Sequence, residues 1–559
     1  MTQQTRLFIT AMLSLALASC GGISKPVASS AGDSGSATVP NMPGMSNPTG
    51  MPKTIPALRQ WQSAVGVYQF TASSRIIVAS ANLTELLPVA QVFAEDLLAL
   101  TGNSVGIFSS AVSSPLSGDM SLSLSETDTR VGTEGYRMTV GPLLEIKATK
   151  SAGAFYGTRS ALQLLHQNRK IQAGEALDWP SYAERGLMVD EGGKLYTLQW
   201  IEAHLRDLAY LKLNYFHFHF SDAGFSVEST SHPEIVSTDH LSKAEVSELV
   251  ALAARYFVTV VPEIDMPGHM TGALAAHPEF QIKNIGGQAA ADKLDITNAA
   301  ALQFTRELIE EYLPLFPGPY FHIGGDEYMP DAQTVSYPQL MTYAQAQYGV
   351  TANAKDAIRG FFNWADILVR SHGKVTRAWH DEMNGGNAVT VNPDIIVEWW
   401  TNSDPLSDVN PPTAQSLLNL GHTIMNASNW PTYYNVGGLG GAPQGVPPVV
   451  DMCTAYQNWQ INLFAGTMFG PAMACNQFMI PPEVIADHDQ HVLGSKLHVW
   501  HFDAKAETQS QTADNIFPRL RVISQKTWES PMLTPVYSEF QVIMDAIGHS
   551  PGFALDQKR

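Results

Sequence analysis

Residues 321–328 read Phe-His-Ile-Gly-Gly-Asp-Glu-Tyr, a short apolar run that ends in two glycines and two adjacent acids. The run predicts a buried strand, and the glycines allow backbone conformations that other residues resist. Neighbouring side chains of a regular strand point to opposite faces, so Asp326 and Glu327 reach one substrate together only where the strand has ended. Two carboxylates held close together also raise the pKa of one of them, which keeps a proton donor available. The stretch therefore predicts a strand end that carries acid–base chemistry.

This strand is one of a series that alternates with helical segments from residue 181 onward. Between the first two strands, Leu198, Ile201, Leu205 and Leu208 recur at the spacing of an amphipathic helix. The pattern predicts an α/β fold, a (β/α)8 TIM barrel over residues 181–535 with its active site at the C-terminal strand ends. An open, doubly wound sheet is the competing fold, but no glycine-rich phosphate loop follows a strand. The eight candidate strands are 186–190, 214–220, 258–264, 320–323, 375–379, 395–400, 423–426 and 496–500.

The residues on either side of the barrel have other patterns. Residues 55–180 mix strands and helices, which predicts a small α+β accessory domain before the barrel, and residues 536–559 form a C-terminal extension. In the accessory domain the sequence predicts strands at 75–78, 136–140 and 144–148, and helices at 83–101 and 152–168.

The N-terminus has the pattern of an export signal. A short polar segment with one arginine precedes an apolar run at residues 7–18, and Leu17-Ala18-Ser19-Cys20 follows it. This order is typical of a signal peptide over residues 1–20 and not of a spanning helix. The ending resembles a bacterial lipobox, in which Cys20 is lipidated; an ordinary cleaved signal peptide is the alternative. Residues 21–54, rich in Ser, Gly and Pro, predict a flexible linker, so we expect an exported, lipid-anchored protein of the periplasm or cell envelope.

Composition excludes several classes of protein. The 52 Asp and Glu against 33 Lys and Arg give a net charge of −19, which argues against nucleic-acid binding. Beyond the N-terminus no apolar run reaches the ~18 residues of a membrane span, so any membrane contact is expected through the lipid anchor alone. Three cysteines are too few for a disulfide scaffold. Cys453 and Cys475 are disulfide candidates in an oxidising compartment, with two unpaired buried thiols as the alternative.

Acids and aromatic residues gather at the predicted C-terminal strand ends. Aromatic rings cover the apolar faces of a sugar, and carboxylates accept hydrogen bonds from its hydroxyls. A neutral glycan is therefore the expected substrate class. The residues concerned include Asp190, Asp222, Glu263, Asp265, Trp379, Asp381, Trp400, Tyr433 and Trp500.

Residues 322–327 resemble the His-x-Gly-Gly-Asp-Glu signature of glycoside hydrolase family 20, the β-N-acetylhexosaminidases. The resemblance extends over about residues 60–530 and includes similar stretches at 185–190, 217–222, 262–269 and 294–298. Within the family, these motifs look most similar to those of the dispersin and lacto-N-biosidase branch. It implies hydrolysis of β-linked terminal N-acetylhexosamine, GlcNAc or GalNAc, from oligosaccharides or polysaccharides. The substrate's own 2-acetamido oxygen would attack, through an oxazolinium intermediate and with net retention. It implies no cofactor and no metal.

The resemblance also implies roles for individual residues. Glu327 would be the general acid and then the general base, and Asp326 would orient the acetamido group. Tyr433 would bind the acetamido oxygen, with Tyr434 as the fallback. Trp379, Trp400 and Trp500 would line the pocket, Arg185 would bind ring hydroxyls, and Asp222, Asp265, His269 and His322 would orient the two acids.

Departures from the family pattern keep other interpretations open. Phe502 stands where many relatives have a glutamate that binds the terminal sugar, and Asp503 is the candidate substitute. The departure raises the alternative of lacto-N-biosidase-like release of a disaccharide. Two rivals belong to other classes: a metal-dependent amidohydrolase that uses His217 and His219, and a non-catalytic sugar-binding lipoprotein.

Overall fold

The computed structural model describes residues 50–402, 411–437, 448–465 and 482–555. The predicted signal peptide with Cys20, most of the predicted linker and Cys475 lie outside these ranges. None of the helices within them is long and apolar enough to cross a bilayer.

A seven-stranded sheet forms the first part of the described chain. Its spatial order is β1-β7-β5-β6-β4-β2-β3, and α1 (Leu83–Thr101) and α2 (Ser151–Gln167) pack against it and against each other. The antiparallel pair β5–β6 buries every second side chain, as its alternating sequence predicts. The strands are β1 (Gln60–Gln69), β2 (Ile76–Val78), β3 (Ile107–Ser109), β4 (Met120–Ser123), β5 (Tyr136–Val140), β6 (Leu144–Ala148) and β7 (Lys170–Asp178).

Thirteen further strands follow, and eight of them close into a parallel barrel. They are β8 (Glu184–Asp190), β9 (Tyr215–His219), β10 (Thr259–Glu263), β11 (Gln281–Lys283), β12 (Ala289–Leu294), β13 (Tyr320–His322), β14 (Val375–Trp379), β15 (Ile396–Trp399), β16 (Ile424–Asn426), β17 (Tyr433–Val436), β18 (Leu463–Phe464), β19 (Glu483–Val484) and β20 (Val492–His501). The order around the barrel is β8-β9-β10-β13-β14-β15-β16-β20, and β20 pairs with β8. The predicted (β/α)8 barrel is confirmed.

Helices lie between the barrel strands and after the last of them. Reciprocal capping boxes begin three of them, at Ser242, Asn353 and Thr508, where a polar residue precedes Glu, Asp or Gln by three positions. The helices are α3 (Leu198–Tyr210), α4 (Lys243–Arg255), α5 (Thr271–Ala276), α6 (Ala299–Tyr312), α7 (Pro338–Tyr348), α8 (Ala354–Ser371), α9 (Ala414–Asn419), α10 (Asn429–Thr432), α11 (Pro448–Gln457), α12 (Gln509–Trp528) and α13 (Tyr537–Ile547).

The last helix, α13, belongs to the packed core. It contacts α2 of the first sheet and α11 and α12 beside the barrel. The segment predicted as a C-terminal extension therefore packs against helices of both the first sheet and the barrel. Its apolar face is buried through Tyr537, Phe540, Ile543, Met544 and Ile547.

Candidate active site

The turn after β13, here called the acid turn (residues 323–327), depends on its two glycines. Gly324 has φ +70° and Gly325 has φ +108°, in the left-handed region that favours glycine. A β-carbon at Gly324 would lie 1.7 Å from Asp265 Oδ1, and one at Gly325 would lie 2.5 Å from the Phe362 ring. The backbone N–H of Gly325 also donates to Asp265 Oδ1 at 3.2 Å. The close approach of these neighbours explains why the sequence has glycine at both positions.

The two acids of the acid turn lie in different surroundings. The side chain of Asp326 is 13% exposed and that of Glu327 is 38% exposed. Glu327 has φ +49°, and neighbouring side chains hold its backbone: its N–H donates to Asp381 Oδ2 at 2.8 Å and its carbonyl accepts from Lys293 Nζ at 2.8 Å. One acid is therefore buried and the other faces solvent, so the two reach different parts of one ligand.

His269 lies between three carboxylates. Its Nε2 is 3.6 Å from Asp326 Oδ2 and 3.3 Å from Glu327 Oε2, and its Nδ1 is 3.6 Å from Asp222 Oδ2. Burial disfavours a charged imidazole, but the carboxylates of Asp326 and Asp222 outweigh this effect and raise the pKa of His269 well above its usual range. His269 therefore places a positive charge beside both acids at neutral pH.

Asp326 offers an unused acceptor. Burial raises the pKa of Asp326 well above its usual range, the Asp265 carboxylate adds to the rise, and His269 opposes it. Its Oδ1 is buried and has no hydrogen-bond partner among the described residues. A buried acceptor without a donor costs about 1–3 kcal/mol. A ligand that supplies an N–H or O–H donor to this oxygen removes that cost.

Four aromatic side chains form a pocket beside the acids. The ring centroids of Trp379 and Trp500 lie 6.0 Å apart, Tyr433 lies 5.9 Å from Trp500, and Tyr433 stacks on Trp400 at 6.4 Å. The indole of Trp379 donates to Glu263 Oε1 at 2.8 Å, which fixes its ring. The pocket has the apolar walls that a sugar ring requires.

Strand alternation decides between the two candidate tyrosines. Tyr433 points into the aromatic pocket, and burial, followed by the charge of Asp326, raises its pKa well above the usual range. Tyr434 points to the opposite face, where its hydroxyl donates to Glu507 and Arg519 covers its ring. The structure therefore brings Tyr433, and not the fallback Tyr434, to the pocket.

Asp381 belongs to the strand-end acids that the sequence predicts as sugar contacts, and both of its carboxylate oxygens have protein partners. Its Oδ2 accepts from the N–H of Glu327 at 2.8 Å and its Oδ1 accepts from Trp400 Nε1 at 2.9 Å. Burial raises the pKa of Asp381 to about 7, and the Glu382 carboxylate adds to the rise. One buried carboxylate thus connects the acid turn to the aromatic pocket. Its place after the strand-end Trp379 was the available sequence signal.

Comparison with known proteins gives the family. The model of the glycosyl hydrolase family 20 catalytic domain matches residues 182–531, and that of family 20 domain 2 matches residues 51–179. The chain belongs to glycosyl hydrolase family 20. The acid turn and the aromatic pocket lie in the part that the catalytic-domain model matches.

Relatives within family 20 agree with this placement. A lacto-N-biosidase of Bifidobacterium bifidum is 29% identical over 502 residues, 89% of this chain and 42% of that protein. A beta-hexosaminidase of Porphyromonas gingivalis is 26% identical over 490 residues, 82% of this chain and 58% of that protein. The chain therefore spans about half the length of these relatives. The solved GH20 beta-N-acetylhexosaminidase of Streptomyces coelicolor A3(2) has the same fold, with TM-score 0.67 at 24% identity over 89% of this chain and 95% of that one.

The prediction that Arg185 binds substrate is wrong for this family 20 chain. Arg185 lies near the start of β8, at the end of the barrel opposite the acid turn. Its guanidinium is fully buried, pairs with Glu134 at 2.9 Å and lies over the rings of Tyr156 and Trp528. Burial lowers the pKa of Arg185, but the Glu134 carboxylate outweighs this effect, so the pKa is raised. Arg185 joins the first sheet to the barrel.

Asp503 follows β20, and its predicted contact with the terminal sugar stays a prediction. Its carboxylate accepts from the N–H of Lys505 at 2.9 Å within its own exposed turn. Phe502 is 67% exposed beside it. The position two residues after the last-strand Trp500 therefore presents an aromatic ring to solvent.

The buried histidines His217 and His219 lie below the pocket against charged side chains. His217 Nε2 lies 2.7 Å from Glu263 Oε2, and its Nδ1 lies 2.6 Å from Lys496 Nζ. An ammonium group this close opposes the binding of a metal cation at His217. His219 Nδ1 lies 3.2 Å from Asp190 Oδ1. These contacts argue against the amidohydrolase alternative.

His322 supports the pocket from below. Its Nδ1 lies 2.8 Å from Glu263 Oε1, the oxygen that also accepts from Trp379, and its ring lies 4.9 Å from Trp379. Its Nδ1 also accepts from the N–H of Gly324 at 3.0 Å, so His322 contacts both an aromatic wall and the backbone of the acid turn. Cys453 is disulfide-bonded, and its predicted partner Cys475 lies outside the described residues.

Proposed function

We propose that this family 20 chain is a retaining glycoside hydrolase that removes β-linked terminal N-acetylhexosamine from glycans by substrate-assisted catalysis. One observation carries the proposal. The buried, unpaired Oδ1 of Asp326 and the exposed carboxylate of Glu327 lie on one turn beside an aromatic pocket. The pocket suits a sugar ring, and the unpaired oxygen suits the N–H of an acetamido group.

The positions of the two acids assign the proton transfers. Glu327 at the solvent side donates its proton to the leaving oxygen as the acetamido oxygen attacks C1 and the glycosidic bond breaks. Asp326 accepts a hydrogen bond from the acetamido N–H and stabilises the positive charge of the oxazolinium ring. Water then attacks C1, Glu327 takes its proton, and the ring opens with net retention.

His269 and Tyr433 complete the arrangement. Tyr433 lies among the aromatic side chains of the pocket, and we assign its hydroxyl the hydrogen bond to the acetamido oxygen. His269 carries a positive charge that favours the ionised form of Asp326. The same charge orients Asp326, because its Nε2 lies 3.6 Å from the Oδ2 that does not face the ligand.

Phe502 favours a second candidate, the release of a disaccharide. The ring is 67% exposed, and Asp503 is held in its own turn. An exposed aromatic ring at this position can stack on an additional sugar. The similarity to a lacto-N-biosidase adds to this argument.

Product analysis tests both candidates. The purified chain is incubated with p-nitrophenyl β-GlcNAc, the β-GalNAc analogue and the β-lacto-N-bioside, and the first-formed anomer is identified by NMR. We expect the β anomer, with a loss of about 10²–10⁴ in kcat for Glu327→Gln and a comparable loss for Asp326→Asn. Disaccharide release alone selects the second candidate. An α product overturns the retaining mechanism, a loss of activity with EDTA supports the amidohydrolase, and silence on all substrates supports the non-catalytic protein.

The export signal gives a further proposal about location. We infer from residues 1–20 that the chain is exported and lipid-anchored through Cys20, which keeps it at the cell envelope. Expression in a bacterial host, with radiolabelled palmitate and Cys20→Ala as control, tests this proposal. Label in the wild type alone supports it, and equal labelling of both proteins refutes it.

A further inference from the structure

A second group of histidines and acids lies on the surface, apart from the acid turn. His232 and Glu234 lie between β9 and α4, and His277 follows α5. His232 Nδ1 is 3.1 Å from Glu234 Oε1, and His277 Nε2 is 2.9 Å from the same oxygen. The histidine side chains are 13% and 19% exposed and Glu234 is 42% exposed. Two imidazole nitrogens thus converge on one carboxylate oxygen that solvent reaches.

We propose that His232, Glu234 and His277 bind a divalent transition-metal ion, with Zn²⁺ as the best fit. Their three ligand atoms lie within 4.8 Å of one another. Around a tetrahedral Zn²⁺ with bonds of about 2.0–2.1 Å, neighbouring ligand atoms are about 3.3 Å apart. The N–O separations of 3.1 and 2.9 Å need only a small opening to admit the ion. Two imidazoles and one carboxylate suit Zn²⁺ better than Ca²⁺ or Mg²⁺, which prefer oxygen ligands.

Each histidine also has a carboxylate on its other ring nitrogen. His277 Nδ1 lies 3.0 Å from Glu279 Oε1, and His232 Nε2 lies 3.0 Å from Glu307 Oε2. Metal-binding histidines commonly donate their second N–H to such an outer carboxylate, which fixes the tautomer and increases the basicity of the ligand nitrogen. The two outer glutamates leave Nδ1 of one ring and Nε2 of the other for the ion.

Protons take the place of the ion when metal is absent. Burial lowers the pKa of His277, but hydrogen bonds to Glu279 and Glu234 outweigh this effect and raise it. The nitrogen of each imidazole that faces the ion must be free of its proton to bind it, so protons compete with the metal. Metal affinity must therefore fall as pH is lowered.

The site would join two segments that carry active-site residues. The segment after β9 contains Asp222 as well as His232, and the segment after β10 contains His269 as well as His277. Bound metal would therefore cross-link the segments whose Asp222–His269 pair lies beside the acid turn. The expected result is a more stable protein, because an ion that binds only the folded state stabilises it.

Isothermal titration of the EDTA-treated, dialysed full chain with ZnCl₂ tests the site. We expect about one Zn²⁺ bound per chain, with an affinity at least about tenfold weaker in His232→Gln and His277→Gln. Glu307→Gln weakens it by about 10- to 100-fold through the outer contact alone. His488→Gln is the matched control, since His488 also lies between two carboxylates, at 3.6 Å from Asp487 and from Glu529.

Thermal unfolding supplies a second readout. Zn²⁺ at about 100 times the wild-type Kd raises the Tm of the wild type and of His488→Gln by about 2 °C or more, and it raises the Tm of His277→Gln by less. Equal Tm values of all variants in EDTA show that each one folds. Titration without Zn²⁺ binding, or binding that His488→Gln abolishes and His277→Gln retains, overturns the proposal.

Discussion

Replacing Asp381 by asparagine removes one of its two acceptors and tests how the acid turn is positioned. One carboxylate oxygen accepts from the N–H of Glu327 at 2.8 Å and the other from Trp400 Nε1 at 2.9 Å. An amide keeps one acceptor and directs an N–H group toward the other donor. A buried donor left unpaired costs about 1–3 kcal/mol. Because 1.4 kcal/mol corresponds to about a factor of ten, we expect kcat/KM to fall by about 10- to 100-fold.

The pKa of Asp381 separates positioning from stability. Burial raises this pKa to about 7, so the folded state holds the proton more tightly than the unfolded chain does. Ionisation of Asp381 therefore costs stability as pH rises from about 4 to about 7. Asparagine does not ionise, so at about pH 8 we expect the Tm of the variant to equal or exceed that of the wild type. Protonation of wild-type Asp381 removes an acceptor, so the kcat/KM of the wild type should fall below about pH 7, whereas that of the variant should show no such fall.

The assay is kcat/KM for p-nitrophenyl β-GlcNAc across the neutral pH range, with Tm measured on the same samples. Asp366→Asn is the matched control, because Asp366 is a buried acid of α8 that accepts from Asn392 Nδ2 at 2.9 Å and lies away from the pocket. Retention of kcat/KM within about twofold, with an unchanged pH profile, would refute the positioning argument. A Tm that falls together with activity would show that Asp381 acts on folding instead.

Three further variants and one control variant have defined expected outcomes. Tyr433→Phe should lower kcat/KM by about 10-fold or more because its hydroxyl faces the pocket, whereas Tyr434→Phe should leave it within about twofold; steady-state kinetics of the pair decide this. Arg185→Ala should cost about 3–5 kcal/mol of stability by leaving Glu134 without its buried partner, with kcat of the folded enzyme unchanged, and denaturant unfolding measures it. Gly324→Ala should prevent the acid turn from forming, since its β-carbon would overlap Asp265, so activity should be lost even if circular dichroism shows a folded barrel.

The sequence predicts the barrel because buried strands and amphipathic helices leave strong periodic patterns. The helix expected at residues 83–101 has those same bounds in the structure, and all eight barrel strands lie where the apolar runs are. The acid turn is predictable for a similar reason. Two glycines followed by two acids are unusual after a buried strand, so they indicate a functional turn. Local pattern and packing agree at these places.

Roles that depend on contacts across the barrel were less accessible to sequence reasoning. The resemblance implies a substrate-binding role for Arg185, although Arg185 lies near the start of β8. That strand ends at Asp190, so its start lies at the opposite end of the barrel from the active site. The partners of Asp381, Glu327 and Trp400, come from neighbouring strands, and no spacing along the chain shows that they meet. The position of Arg185 along its strand indicates from sequence alone that it lies away from the active site. The contacts of Asp381 can be found only in the structure.

The directions of the pKa shifts suggest why several carboxylates lie together at the acid turn. Burial raises the pKa of both Asp326 and Asp381, so the site without ligand holds negative charge poorly, and His269 compensates only in part. A positive charge that develops on the sugar would lower both pKa values, since opposite charges at close range favour ionisation. The stabilisation is therefore larger for the cationic transition state than for the neutral substrate, and that difference lowers the barrier. An aromatic pocket that excludes water strengthens the effect, because charges interact more strongly at low dielectric constant.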